Sequence, residues 1–264
     1  MQHDESIDHG SGFDWGNASE EYAKYRDIYP EEFYRRIVER GLCISGQRVL
    51  DLGTGTGVLP RNMYRFGAEW TGVDISDRQT GQAKRMAAER NMAIRFFTAP
   101  AERTGLPDGA FDVVTACQCF FYFDQAKVLP EIARVLHPRG RLLILYMTWL
   151  PFESEIARGS ENLVLKYNPL WTGAGFQRYQ PEKAALSNPF FECIGCEAFS
   201  LALPFTRESW QGRIIACRGV GASSLPPEQI EAFKREHEAY LQTAPETFSI
   251  PHFITMLDFR RRNR

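Results

Sequence analysis

Asp51 ends the apolar run "RVLDLG", and Gly53, Gly55 and Gly57 follow at alternate positions where a helix should begin. A second acid, Asp74 in "GVDIS", ends the next apolar run. A strand that feeds a glycine turn and then a helix brings backbone N–H groups to the carboxyl edge of a sheet, where open α/β sheets take their ligands. Glycine accepts positive φ and lets a ligand approach with no Cβ in the way, so the three glycines shape a pocket floor. An acid about twenty residues beyond such a turn is placed to accept from ribose hydroxyls. Turn and acid together predict a nucleoside-binding site. A carboxylate is out of place in a buried strand, so Asp51 reads as orienting the loop or reaching a bound cation or water.

Details of the turn discriminate among nucleosides. A dinucleotide fingerprint reads GxGxxG, but Val58 follows Gly57 here and the spacing is GxGxG, so the loop need not cradle a pyrophosphate. An acid just before the loop attracts a ligand carrying an ammonium group and repels one carrying two phosphates. Other chemistry-bearing residues are weaker candidates. "CIGC" from Cys193 to Cys196 has metal or redox spacing but no second pair, and it reads as structural, with no metal predicted. His137 falls in a turn before the fifth strand, His252 in an edge strand, and His3 and His9 in a tail expected to be disordered. After the fourth strand comes "CQCFFYFD", in which Tyr122 is the ionisable group among Phe120, Phe121 and Phe123.

The elements that position these residues follow from periodicity. Short apolar runs alternate with polar helical ones from Gln47 to Met147, as in βαβ units around a parallel sheet. Strands are predicted at "RVLDLG", "EWTGVDI", "AIRFFTA", "FDVVTAC" and "GRLLILYM", with helices between them. One or two helices broken around Pro30 precede this core. After Met147 the alternation fails for some fifty residues and reads as an inserted helical cap. A strand at "CEAFSLALPF", two helices and a closing strand at "FSIPHFITMLDF" then add an antiparallel edge. The predicted class is α/β: a Rossmann-like, mostly parallel sheet with helices on both faces. It forms one domain, with a helical lid over 1–46, a core over 47–148, the cap over 149–197 and the rest of the sheet over 198–264.

Composition narrows the function. The chain has 264 residues, of which 44% are hydrophobic, enough to bury a full core. A formal charge of -2 gives no overall field for nucleic acid or an anionic membrane, and the basic end "RRRNR" is too short to change that. No apolar run reaches the roughly 18 residues that cross a bilayer, and the polar, acidic start is unlike a signal peptide, so the expected location is the cytoplasm. Six cysteines in a chain this long read as reduced thiols.

Four stretches in order, "VLDLGTGTG", "GVDIS", "APAERTGLPDGAFDVV" and "EIARVLHPRGRLLI", resemble the class I S-adenosylmethionine-dependent methyltransferases. The resemblance is to the small-molecule branch that includes trans-aconitate and quinone-precursor enzymes. It covers about Gln47 to Met147 and continues less specifically beyond. It implies S-adenosylmethionine as cofactor, with the loop Gly53 to Gly57, Thr54 and Gly55 included, under its methionine part, Asp74 on the ribose and Asp51 also among the cofactor-binding residues. Ile75 would pack on the adenine, with Ala101 and Glu102 at the adenine edge. Cys117 and Gln118 would lie beside the methionine end. Relatives often have an aspartate where this chain has Pro100, so recognition of the adenine amine would pass to Glu102 or to backbone. In similar enzymes a segment like "YAKYRDIYP" folds over the cofactor, which implies a shielding role for Tyr25, with Tyr22 nearby, and a carboxylate partner in Arg26.

Methyl transfer from a sulfonium is an in-line displacement of an already activated leaving group, so alignment and dryness matter more than a base. Tyr122 is the single weak catalytic candidate. The expected acceptor is a small molecule with an apolar or aromatic portion, bound between "CQCFFYFD" and the aromatic insertion that begins at Trp149. Two other readings stay open: a non-catalytic S-adenosylmethionine-binding protein, and a nicotinamide-dependent oxidoreductase.

Overall fold

A computed structural model describes residues 7–262. In chain order the elements are α1 (Ser19–Tyr25), α2 (Glu31–Glu39), β1 (Arg48–Leu52), α3 (Val58–Met63), β2 (Glu69–Asp74), α4 (Asp77–Glu89), β3 (Arg95–Thr98) and β4 (Phe111–Cys117). They continue with α5 (Gln125–Val135), β5 (Leu136–Trp149), α6 (Glu155–Tyr167), α7 (Lys183–Leu186), β6 (Phe191–Thr206), α8 (Arg207–Ile215), α9 (Pro227–Leu241) and β7 (Thr247–Arg261). The strands form one seven-stranded sheet in the order β3-β2-β1-β4-β5-β7-β6, mostly parallel with antiparallel edge strands. The order reverses between β1 and β4. Each half winds outward from that point, which is where an open α/β sheet leaves its ligand crevice.

The chain divides into two compact units. One comprises residues 29–146, 180–199 and 254–264 and contains β1 to β4 whole. In it β1 pairs in parallel with β2 (Asp51 beside Gly72) and with β4 (Asp51 beside Thr115), so Asp51 is held between two neighbours at the sheet's centre. Leu50, Leu52, Val114, Ile132, Ile144 and Phe191 are buried together in its core. Local chemistry starts its helices where the strands end: Ser76 caps α4 by accepting from the Gln79 N–H, and Asp124 caps α5 by accepting from the Ala126 N–H at 3.1 Å. Arg141 on β5 donates to Asp258 on β7 at 2.8 Å, and Arg36 on α2 and Arg40 just after it both pair with Glu197 on β6.

The other unit comprises residues 1–28, 147–179 and 200–253. Its centre is a polar knot in an apolar setting. Ser160 Oγ donates to the Ile156 carbonyl at 2.8 Å, accepts from Trp210 Nε1 at 2.9 Å and lies 2.9 Å from His237 Nε2, tying α6, α8 and α9 together. Burial pushes His237 down to about 4, so it is neutral at physiological pH.

Three local expectations change. β6 begins at Phe191, inside the stretch read as cap, because Phe191 is drawn into the core beside Ile132 and Leu136. β5 begins at Leu136, so His137 stands within a strand's bounds rather than in a turn ahead of it. His9 lies in a short helical turn, Asp8–Gly10, instead of a disordered tail. Asp8 is buried there, paired with Arg218 at 2.6 Å and accepting from the Thr172 N–H at 2.8 Å. His3 and the last two residues of "RRRNR" lie outside the described residues.

Candidate nucleoside-binding site

The site is built where β1 and β2 end. Gly53, Gly55 and Gly57 all have positive φ, 61°, 56° and 74°, and form a chain of left-handed residues that an L side chain would strain. Space adds a second constraint. A Cβ on Gly57 would lie 2.8 Å from the Phe96 ring, and one on Gly53 would lie 2.8 Å from Cys119 Sγ. The turn is stitched to the sheet by its own backbone: the Thr54 N–H donates to the Val73 carbonyl at 3.0 Å and the Gly57 N–H to the Thr54 carbonyl at 2.8 Å.

Asp74 closes the arrangement. Its Oδ2 accepts from the Gly55 N–H at 2.9 Å and its Oδ1 from the Ser76 N–H at 2.9 Å. Burial nevertheless raises its pKa, the backbone donors offsetting part of the shift. Ile75, next along, is 68% exposed, among the largest apolar exposures in the described chain. An exposed β-branched side chain beside a carboxylate at a strand end is suited to cover the face of a flat base. These features fit an adenosine-containing cofactor: a turn with no Cβ at three alternate positions, an acid for the ribose and an apolar face for the base.

Asp51 is fully inside, accepting from Thr115 Oγ1 at 2.6 Å. Burial, with the Asp74 charge adding to it, pushes Asp51 up to about 7. Ala101 is buried. Glu102 Oε1 accepts from the Asp124 N–H at 2.9 Å, which ties the segment after β3 to the start of α5. After β4, Gln118 takes a left-handed φ of 65° while its N–H still donates to the Leu145 carbonyl on β5 at 2.8 Å. That reversal lets Cys119 turn back beneath the glycines, its thiol donating to the Leu52 carbonyl at 3.0 Å. Cys117 Sγ lies 3.4 Å from the hydroxyl of Tyr29, a residue the sequence reading did not single out. The "YP" that ends "YAKYRDIYP" carried the signal, since it precedes α2 and places Tyr29 against Phe33 and Tyr34.

Thus Asp51, Gly53, Thr54, Gly55, Gly57, Asp74, Ile75, Ala101, Glu102, Cys117 and Gln118 all belong to one unit, as does Tyr122. Tyr25 and Arg26 belong to the other. There the Tyr25 ring packs so closely on Gly212 that a Cβ would lie 2.3 Å from it, and the Tyr25 hydroxyl donates to Glu208 at 3.0 Å. The Arg26 guanidinium lies 4.7 Å over the Tyr22 ring. Trp149 is also committed to that unit's core: it is 5% exposed, donates to Glu161 at 2.6 Å and packs edge-on against Trp210. Cys193 and Cys196 point their thiols at different carbonyls, those of Gly195 and Pro181, and no group of three metal-ligating side chains occurs among the described residues. His252 is buried and pushed down to about 4.

Strand order 3-2-1-4-5-7-6, a glycine turn and an acid bonded back to that turn define a Rossmann-like, mostly parallel α/β fold of the kind seen in solved methyltransferases. Comparison with known proteins agrees. Residues 50–144 match the family model described as a methyltransferase domain. Demethylmenaquinone methyltransferase of Thermus thermophilus is 42% identical over 114 residues, which is 42% of this chain and 52% of that protein. A ubiquinone biosynthesis O-methyltransferase of Aeromonas salmonicida is 32% identical over 133 residues, 49% of this chain and 55% of its own. The chain therefore spans about half the length of these curated relatives. A candidate methyltransferase of Bacillus halodurans shares the fold, with a TM-score of 0.56 at 17% identity over 88% of this chain and 100% of its own.

Proposed function

We propose that the protein transfers a methyl group from S-adenosylmethionine to a small-molecule acceptor. The observation that carries this reading is the hydrogen bond from Gly55 to Asp74, which joins the cofactor turn and the ribose acid into one preformed site inside a methyltransferase domain. When bound, the cofactor supplies an electrophilic methyl on a sulfonium. The protein's part is to hold the ribose through Asp74, cover the base with Ile75, keep the turn open with its glycines and exclude water around the reacting end. We assign Thr54, Ala101, Glu102, Cys117 and Gln118 to the same site as residues that shape its walls.

The acceptor we favour has an aromatic or apolar portion. Phe121 is 43% exposed just after β4, its ring 4.1 Å from Tyr122 and 5.9 Å from Tyr146 on β5. Such a cluster offers faces for stacking and, in Tyr122, one hydroxyl. Two relatives bear names from quinone biosynthesis, which supports testing quinone precursors first. A small acceptor also accords with the formal charge of -2, which gives no overall field for a polyphosphate, and we place the protein's work in the cytoplasm. No described helix is long and apolar enough to cross a membrane. The test is release of adenosylhomocysteine across a panel of metabolites, with bulk tRNA and DNA as controls. Turnover of a small aromatic acceptor supports the reading, and salt-sensitive methylation of nucleic acid overturns it. The same fold occurs in the cyclase SpnF, with a TM-score of 0.52, so fold alone does not define the chemistry and the release assay is the deciding measurement.

A further inference from the structure

Asp51 sits at the floor of the proposed cofactor site with neighbours of one electrical kind. Thr115 faces it from β4, donating at 2.6 Å, and Thr54 lies beside it in the turn. Asp74 acts on it from the end of β2, and the charge of Asp51 in turn acts on the thiols of Cys43, before β1, and Cys119, after β4. These titratable groups are all acids, and no cation acts on Asp51 among the described residues. Two carboxylates thus flank one glycine turn, and the one at Asp51 is cut off from water without a cation to balance it. A buried charge in that position is strongly disfavoured until a positive group arrives, and it is disfavoured again when that group leaves.

The methyl donor and its product differ in this respect. S-adenosylmethionine carries a net positive charge, and adenosylhomocysteine, having lost the sulfonium, carries none. We propose that Asp51 reads this difference by exchanging a proton for the cofactor's charge: neutral in the free protein, it loses its proton to solvent when the sulfonium cofactor binds and regains one when the demethylated product occupies the site. Donor and product are then distinguished by charge linkage at a residue that need not touch the methyl group. The discrimination grows as pH rises toward neutrality, because less work is needed to deprotonate Asp51. Asp51's pKa of about 7 in the ligand-free protein places the exchange in the physiological range.

The inference rests on the proposed binding of S-adenosylmethionine, and calorimetry separates the two. Donor and product are titrated into the full chain in phosphate and in Tris, whose ionisation enthalpies differ, so the buffer dependence of the heat counts protons released. The expected result at pH 7 is release of about half a proton with the donor and much less with the product. Donor affinity relative to product affinity should rise about tenfold between pH 6 and pH 8. Asp51→Asn should bind both ligands with no buffer-dependent heat difference and a flat affinity ratio. Absence of donor binding would overturn the function reading itself. Donor binding with no proton release, equal release with donor and product, or undiminished release from Asp51→Asn would each overturn the exchange while leaving that reading intact. Should Asp51→Asn fail to fold, the pH dependence of the wild-type affinity ratio decides: a flat ratio overturns the proposal.

Discussion

The backbone N–H of Gly55 donates to Asp74 Oδ2 at 2.9 Å, so the acid that ends β2 holds the middle of the turn that follows β1. The same carboxylate accepts from Ser76 with its other oxygen, at the start of α4. Asp74 therefore does two things at once. It fixes the loop and starts the helix, and under the proposed function its remaining lone pairs take the ribose.

Asp74→Ala should lower affinity for S-adenosylmethionine by ten- to a hundredfold, roughly 1.5–3 kcal/mol. Asp74→Asn should be milder for the fold, because its carbonyl can still accept from Gly55. Isothermal calorimetry on both variants checks this, and unchanged affinity in Asp74→Ala would remove the ribose assignment.

Gly57→Ala forces a side chain into a left-handed backbone and against the Phe96 ring, at 2.8 Å. Strain and overpacking together should cost about 1–3 kcal/mol. Thermal unfolding would read this as a lower midpoint. The paired variant Gly57→Ala with Phe96→Leu should recover part of the loss, since only the steric share is relieved.

Asp51 also gives the ligand-free protein a pH signature. Its folded pKa of about 7 lies above the ordinary 3.8, so the native state binds the extra proton and this group's stabilisation is full below pH 3.8. It is lost as pH rises through about 7 and constant above that, a span on the order of 4 kcal/mol. The melting temperature should therefore fall between pH 5 and pH 8, and Asp51→Asn should flatten the decline. A decline as steep in the variant as in the wild type would assign it to other groups.

For the acceptor, Phe121→Ala should raise KM for an aromatic acceptor about tenfold, with affinity for S-adenosylmethionine kept, as befits a ring lost from a stacking surface. Tyr122→Phe separates shape from proton transfer. Retained kcat means that the hydroxyl is not a base, and a loss of kcat that is recovered at high pH means that it is.

What the chain announced by itself is what local rules encode. The apolar runs that became β1, β2 and β4 are short and hydrophobic because they are buried on both faces, and the glycines at 53, 55 and 57 mark a backbone that other residues cannot follow. Asp51 and Asp74 stand out for a related reason: an acid at the end of an apolar strand violates the pattern around it, and such violations collect at sites. Contacts distant in sequence were settled only by the folded chain. Cys119 lies under Gly53, Tyr29 reaches Cys117, and Glu161 takes the Trp149 indole that its aromatic surroundings suggested for a ligand wall. Nor could periodicity tell that β6 starts at Phe191, because Gly195 interrupts the pattern there and the pairing that recruits it comes from chain sixty or more residues later. Spacing along a strand or turn follows from the geometry of neighbouring residues. Which distant side chains share a buried volume follows from competition among all of them for the same core, and only tertiary packing resolves that.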